Sequence, residues 1–135
     1  MQEEEKGEKS LAHRKKNYSF PKASRITERK AIRQLFSEGC IKRSNLFIVR
    51  YSKHRLGEDN FFLLCPAKKQ LKLACHRNLW KRRLREIIRR NPYLFIGGFY
   101  ISIGISKRNS EPLCSFQEFQ NDLLSLLNKI LKQNI

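Results

Sequence analysis

Cations and one carboxamide recur between residues 77 and 89 at a spacing that fits phosphate binding. A helix turns by roughly 100° per residue, so one of its sides would gather Asn78, Lys81, Arg82, Arg85 and Arg89. Guanidinium and ammonium groups donate hydrogen bonds to phosphate oxygens, and a carboxamide can bond a base edge or a sugar hydroxyl. The spacing therefore predicts a helix face that binds a polyanion.

The other side of this predicted helix is mainly apolar and consists of Trp80, Leu84, Ile87, Ile88 and Asn91. Such a stripe packs against a core, and a disordered basic tail would not need it. A solvated surface is the plainer interpretation of a charged helix. However, residues 68–90 hold ten Lys or Arg and one acidic residue, so the charges cannot neutralise one another locally. That acidic residue, Glu86, is expected to pair with neighbouring arginines.

The whole chain is strongly basic. Its 135 residues include 29 Lys or Arg and 12 Asp or Glu, which gives a net charge of +17. Nucleic acid or an anionic membrane would relieve this self-repulsion. No apolar run approaches the roughly 18–20 residues of a spanning helix, and no secretory signal is evident, so we expect a cytoplasmic protein without a membrane partner. Residues 1–17 are predicted to form a disordered charged arm, and residues 18–135 a single domain.

Residue types that carry catalysis or hold metals are scattered. Cys40, Cys65, Cys75 and Cys114 never lie within four residues of one another, which argues against a zinc or disulfide-exchange motif. They are expected to be reduced and mostly packed in the core. No phosphate loop, nucleophile elbow or tight cluster of carboxylates stands out. We therefore predict no catalytic residue, and no metal or cofactor bound by the protein alone.

Helices and strands are expected to alternate along the chain. The first helix is predicted at 27–38, capped by Ser24 or Thr27 and ended by Gly39. The remaining elements are strands at 45–52, 61–65 and 98–106, the basic helix at 74–91 stopped by Pro92, and a last helix at 115–132. This order predicts an α/β layer structure with helices packed on a small sheet.

The last strand and several aromatic residues indicate a surface on which bases could stack. Residues 98–106 alternate larger apolar side chains with small or polar ones, which predicts one packed face and one open face. An open sheet face suits single-stranded RNA, because unpaired bases stack on aromatic rings. The candidates for stacking are Phe36, Phe47 and Tyr51, although for each of them alone a position in the core is the favoured interpretation.

The most specific stretch of the chain resembles the protein subunit of bacterial ribonuclease P. It comprises Ala67-Lys68-Lys69, seven further residues, and Arg77-Asn78-Leu79-Trp80-Lys81-Arg82-Arg83-Leu84-Arg85-Glu86. The family pattern reads roughly Arg-Asn-Arg-Ile/Val-Lys-Arg-x-x-Arg-Glu, so the chain departs from it at Leu79 and Trp80. Arg83 is expected to replace part of the charge missing at Leu79. The resemblance covers about residues 20–132 and includes Phe20-Pro21, Arg25-Ile26-Thr27, Phe36 with Gly39, and Lys107-Arg108.

The resemblance implies an α/β (α+β) two-layer sandwich. A small, mostly antiparallel central sheet would carry three helices, with a left-handed βαβ crossover, which is rare among proteins. It also implies that an RNA subunit holds catalytic Mg²⁺ and removes the 5′ leader from precursor tRNA, while the protein alone is inactive. The expected partners are ribonuclease P RNA, in a one-to-one complex, and precursor tRNA. No small-molecule substrate is expected.

Two sets of site residues follow from the resemblance. The set expected to bind the catalytic RNA is Arg77, Asn78, Lys81, Arg82 and Arg85. The set expected to line a cleft for the single-stranded leader, between the first helix and the sheet, is Arg25, Phe36, Arg50, Lys68 and Lys69. Ile32 and Arg50 stand where related proteins often place aromatic residues.

Three other classes of protein stay open from the residues alone. A ribosomal or other structural RNA-binding protein would bind RNA without a role in cleavage. A protein-only nuclease would bring sequence-distant carboxylates together around metal ions. A DNA-binding module would place the basic helix in a major groove.

Overall fold

The computed structural model describes residues 24–106 and 112–133. Helices α1, α2 and α3 comprise Arg29–Glu38, Ala74–Arg90 and Phe116–Gln133. Strands β1 to β4 comprise Cys40–Arg43, Phe47–Lys53, Phe61–Cys65 and Phe99–Ile105, and a short 3₁₀ helix, Pro92–Phe95, joins α2 to β4. The predicted arm at 1–17, Phe20-Pro21 and Lys107-Arg108 lie outside the described residues.

The four strands form one mixed sheet in the order β1-β2-β4-β3. Strand β2 pairs antiparallel with β1 and β4, whereas β3 runs parallel to β4. Parallel neighbours need a crossover connection, and α2 lies in that connection between β3 and β4. The three described helices and the mostly antiparallel sheet confirm the predicted α+β class and its βαβ unit. The left hand of that unit stays a prediction.

Helices α2 and α3 cover one face of the sheet. Val49 of β2 and Ile101 of β4 belong to the large buried cluster on this side. Phe47 meets Phe119 of α3 edge-on, with ring centroids 5.0 Å apart. Phe47 and Tyr51 are both buried here, which confirms the favoured core position for these two and excludes them as stacking candidates. Strand alternation turns both side chains toward the helices that cover this face.

Helix α1 covers part of the opposite face. Ala31 and Leu35 form a smaller buried cluster there with Ile26. Because α1 contacts β4, Ser102 is buried on the side that was predicted to be open, and Ser106 is buried as well. The prediction of an open small-residue face was therefore wrong at these two serines.

The start of α1 also differs from the prediction. Its N-cap is Glu28, which makes no side-chain cap hydrogen bond, and neither Ser24 nor Thr27 has that position. The segment before the helix pairs instead with β3, where the Ile26 N–H donates to the Phe62 carbonyl at 2.9 Å. This pairing keeps the chain extended, so the first helical turn begins later.

Strand β1 was not predicted from the sequence. Gly39 ends α1, as predicted, and β1 follows it directly. Cys40 lies opposite Tyr51 in the β1–β2 register. Most side chains of β1 are exposed, so its sequence lacks the apolar alternation by which a half-buried strand is recognised.

The four cysteines are free thiols in the structure. Cys40 and Cys75 are exposed, so the prediction that the cysteines mostly pack was wrong for these two. Cys40 begins the edge strand β1, and Cys75 lies in the first turn of α2, before its buried stripe starts.

None of the described helices is long and apolar enough to cross a membrane. Within the described ranges, no group of three or more His, Cys, Asp or Glu is placed to hold a metal ion.

Candidate nucleic-acid interface

Helix α2 is anchored in the core by its apolar stripe. Trp80, Leu84, Ile87 and Ile88 are each 0% exposed, as the spacing predicts. The Trp80 ring lies 6.3 Å from the ring of Phe47. The departure from the family pattern at Trp80 is therefore a change in the core. An anchored helix holds its charged side at a fixed position relative to the sheet.

The opposite side of α2 presents a basic face formed by Asn78, Lys81, Arg82 and Arg85. Asn78 and Arg82 are exposed, and Lys81 and Arg85 are half-buried. In the described parts of the chain, no residue accepts a hydrogen bond from Lys81, Arg82 or Arg85 or forms an ion pair with them. Partly burying a cation without a counter-charge costs free energy, so this face is suited to an anionic partner.

Arg77 is turned toward the loop that leads into α2. Its Nη1 atom donates to the carbonyl oxygens of Leu71 and Lys72 at 2.8 and 2.9 Å. These bonds fix the chain just before the helix and so position the residues that follow. Arg77 thus has an observed structural role, and its contact with RNA stays a prediction.

Arg83 is turned toward α3 and away from the basic face. Its Nη1 atom donates to the Cys114 carbonyl at 2.6 Å, and its guanidinium carbon lies 5.2 Å from the centre of the Phe119 ring. The expectation that Arg83 replaces the charge missing at Leu79 was therefore wrong, because this guanidinium stabilises the packing of two helices.

Glu86 neutralises the arginines at the end of α2. It accepts a hydrogen bond from Arg89 Nε at 3.0 Å and lies 2.6 Å from Arg90 Nε. The hydrogen bond from Arg89 holds the pKa of the Glu86 carboxyl below its ordinary value, and the charges of both arginines act in the same direction. The predicted ion pairing of Glu86 is confirmed, and Arg89 is thereby separated from the basic face.

Phe36 of α1 and Arg50 of β2 lie against each other where α1 meets the sheet. Phe36 is 43% exposed, and the Arg50 guanidinium carbon lies 4.8 Å from its ring centre. Arg50 stands opposite Ser102, and its buried Nε has no hydrogen-bond partner among the described residues. Gly104 lies on the same face of β4, and a Cβ there would lie 3.3 Å from Ile48 Cγ2. The structure thus brings together two of the residues predicted for the leader cleft.

Lys68 and Lys69 lie on an exposed turn just after β3. Two backbone N–H groups of this turn donate to the Ala67 carbonyl at 3.1 Å, which holds its shape. Cys65, the last residue of β3, pairs with Gly104. The two lysines therefore follow β3 at the end of the sheet where Gly104 lies.

An edge pocket connects the basic face with the edge of the sheet. It has a volume of about 220 Å³ and lies between the segment before α1, β3 and α2; its lining includes Arg25, Thr27, Leu64, Lys81 and Arg85. Burial lowers the pKa of the Arg85 guanidinium, and the positive charge of Arg25 lowers it further. Arg25 was predicted to line the leader cleft. The structure instead places it in one pocket with Lys81 and Arg85, which were predicted to bind the catalytic RNA.

Three rings on the α1 side of the sheet were not predicted as a group. The rings of His54, Phe61 and Tyr100 contact one another, with centroids 5.0 to 5.9 Å apart, and all three side chains are half-buried. The register of β3 with β4 places Phe61 directly opposite Tyr100. A single sequence does not specify that register, so it held no signal for this group.

The fold and its surface define an α+β protein whose anchored basic helix and adjoining edge pocket suit a nucleic acid. The family model for ribonuclease P matches residues 20–131. The chain belongs to the ribonuclease P protein family.

Relatives and solved structures agree with this assignment. The ribonuclease P protein component of Thermotoga sp. (strain RQ2) is 32% identical over 114 residues, which cover 83% of this chain and 96% of the relative. The solved RNase P protein from Thermotoga maritima is 29% identical, with a TM-score of 0.68 over 78% of this chain and 96% of its own. The RNase P protein from Staphylococcus aureus shares the fold, with a TM-score of 0.70 at 19% identity over 81% of this chain and 96% of its own. The chain is the protein subunit of a ribonuclease P, an endoribonuclease of tRNA processing.

Proposed function

We propose that the chain binds ribonuclease P RNA through the basic face of α2, as one protein on one RNA. The observation that carries this proposal concerns Lys81, Arg82 and Arg85. The buried stripe of α2 anchors the helix that holds these cations, and they have no anionic partner among the described residues. RNA phosphates would neutralise these cations and release counterions. The exposed carboxamide of Asn78 would form a hydrogen bond with a base edge or a 2′-hydroxyl. Arg77 would position the start of α2 and contribute its positive charge to RNA binding.

The cleft would hold the single-stranded 5′ leader of precursor tRNA. Phe36 offers an exposed ring face on which an unpaired base can stack. Positive charge for the leader phosphates would come from Arg25, Arg50, Lys68 and Lys69. Mature tRNA has no leader, so these contacts would strengthen binding of the precursor only. The product would then leave more readily than the substrate.

Phosphodiester hydrolysis would take place in the RNA subunit, in the cytoplasm. Mg²⁺ bound by that RNA would supply the metal-ion catalysis. The residues of this chain would bind and orient the two RNAs and screen their charge. The holoenzyme would then work at a lower Mg²⁺ concentration than the RNA alone.

The salt dependence of RNA binding tests the basic face. Arg82→Ala together with Arg85→Ala should weaken binding of ribonuclease P RNA. The slope of log affinity against log salt should become shallower by roughly 1 to 2, because about two phosphates lose their cation. Arg55→Ala, in the exposed loop after β2, is the control and should change neither quantity. An unchanged slope in the double variant would remove α2 from the interface.

A further inference from the structure

We propose that the edge pocket binds one phosphodiester group of RNA, gripped from two sides by Arg25 and by the Lys81–Arg85 pair of α2. The proposal rests on the proposed function, because it assigns a single ligand group to residues that were expected to serve two different RNAs. In this pocket, the basic face of α2 and the segment before α1 would both contact the same nucleotide.

The charge of the pocket selects an anion. Among the lining residues that the structure describes, Arg25, Lys81 and Arg85 are cations and none is acidic. The nearest acidic residue along α2, Glu86, already pairs with Arg89 and Arg90. Two guanidinium groups facing one cavity repel each other when it is empty, and a phosphate between them would turn that repulsion into attraction.

The walls of the pocket strengthen this interaction. Phe62, Leu63 and Leu64 of β3 form an apolar side. Charges beside apolar walls are poorly screened, so an ion pair is stronger there than on an open surface. The lowered pKa of Arg85, caused first by burial, agrees with such a surrounding. A volume of about 220 Å³ holds a phosphate group together with bridging waters.

The cations of the pocket are held in place before any ligand arrives. Arg25 forms a β-bridge with Phe62, and the next residue donates its N–H to the Phe62 carbonyl at 2.9 Å. Lys81 and Arg85 are one helical turn apart, and the neighbouring residues Trp80 and Leu84 are fully buried. A backbone that is already ordered loses little entropy on binding, which favours a defined site over a diffuse cationic surface.

An RNA phosphate fits these features better than the carboxylate of a protein. Arg82 and Asn78 continue the basic face beyond the pocket and are exposed. A polyanion with regularly spaced charges can occupy the pocket with one phosphate and contact Arg82 with another. The phosphate can belong to ribonuclease P RNA or to precursor tRNA, and separate binding titrations with the two RNAs distinguish these sources.

A double-variant cycle tests the proposal. Binding of ribonuclease P RNA is measured for the unchanged chain, Arg25→Ala, Arg85→Ala and the double variant, over a series of salt concentrations. Binding of precursor tRNA is then measured with the same four proteins reconstituted with that RNA. Each single change should lower the affinity roughly tenfold in one of the two titrations, because it removes a hydrogen bond to a charged group. The double variant should be weaker by clearly less than the product of the two, because both arginines hold one group.

The salt slope gives an independent count. If one phosphate is shared, the double variant should lower the slope by only about 0.7 to 0.9, the value for one phosphate. Two arginines that bind separate phosphates would instead lower the slope by about twice as much. Arg25→Lys keeps the charge and should retain most of the affinity, and melting temperatures confirm that every variant is folded.

The outcomes separate this proposal from the proposed function. Coupling in the first titration assigns the phosphate to ribonuclease P RNA, and coupling in the second assigns it to precursor tRNA. Additive losses and additive slopes in both titrations would overturn the shared phosphate while leaving RNA binding by α2 intact. Failure of the unchanged chain to bind ribonuclease P RNA would overturn the proposed function, and the pocket proposal with it.

Discussion

Replacing Phe36 by alanine should weaken binding of precursor tRNA while the protein stays folded. The ring is 43% exposed, so truncation forfeits only about half of the roughly 1.5–3 kcal/mol gained by burying a phenylalanine fully. Loss of the contact with the Arg50 guanidinium, 4.8 Å from the ring centre, adds about 0.5–1 kcal/mol. The free energy of unfolding should therefore fall by about 1.5–2.5 kcal/mol, less than the stability of an ordinary domain.

The effect on binding should be selective for the precursor. Stacking of one base on an aromatic ring contributes about 1–3 kcal/mol, which corresponds to about 5- to 150-fold in Kd. Holoenzyme reconstituted with ribonuclease P RNA is titrated with precursor tRNA and with mature tRNA. Phe36→Ala should raise the Kd for the precursor by that factor and leave the Kd for mature tRNA unchanged.

Two further variants make the Phe36 result decisive. Phe36→Tyr keeps an aromatic ring and should keep the preference for the precursor. Phe47→Ala removes a fully buried ring and should cost about 3–5 kcal/mol of stability, which calibrates the thermal melts. An equal loss of affinity for both tRNAs, or a destabilisation by Phe36→Ala as large as that of Phe47→Ala, would refute the stacking role.

Three other predictions concern the fold and its titrating groups. Asn60 is fully buried and bonds one carbonyl and one N–H through its side chain, so Asn60→Ala should lower the free energy of unfolding by about 2–4 kcal/mol in denaturant titrations. The pKa of Glu86 is lowered in the folded state, so its ion pairs stabilise the fold above the unfolded pKa of about 4.3 and stop doing so as pH falls through the folded pKa. Glu86→Gln should therefore cost about 0.5–1 kcal/mol at neutral pH and nothing in strong acid, and an equal cost at every pH would contradict the pairing. Burial raises the pKa of the Cys65 thiol, so a thiol reagent followed by peptide mapping should label exposed Cys40 and Cys75 faster, on the order of tenfold, than Cys65.

The sequence predicts those features that depend on local periodicity. The stripe from Trp80 to Ile88 is buried because its spacing matches a helical turn, and the basic face follows on the other side. Gly39 and Pro92 mark the ends of their helices because their backbones do not continue one easily. The class of the fold follows from the order of these elements.

The features that the sequence does not predict depend on tertiary partners. Periodicity identifies Arg83 as a helix cation, but only the position of α3 explains why its guanidinium bonds the Cys114 carbonyl. Phe36 and Phe47 are the same residue type, and which of them is exposed depends on the face that α3 covers. The pairing of Arg25 with Phe62 of β3 joins two segments that are distant in sequence, so the edge pocket has no local signature.

Cleavage of a 5′-leader precursor tRNA at low Mg²⁺ concentration tests the central claim most directly. The reaction is run with the purified chain, with ribonuclease P RNA, and with both together. We predict cleavage at the mature 5′ end only when both are present, because the protein would bind the two RNAs and the RNA would carry the chemistry. No stimulation by the chain of a properly folded cognate RNA would contradict a role as its protein subunit, and cleavage by the chain alone would contradict catalysis by the RNA.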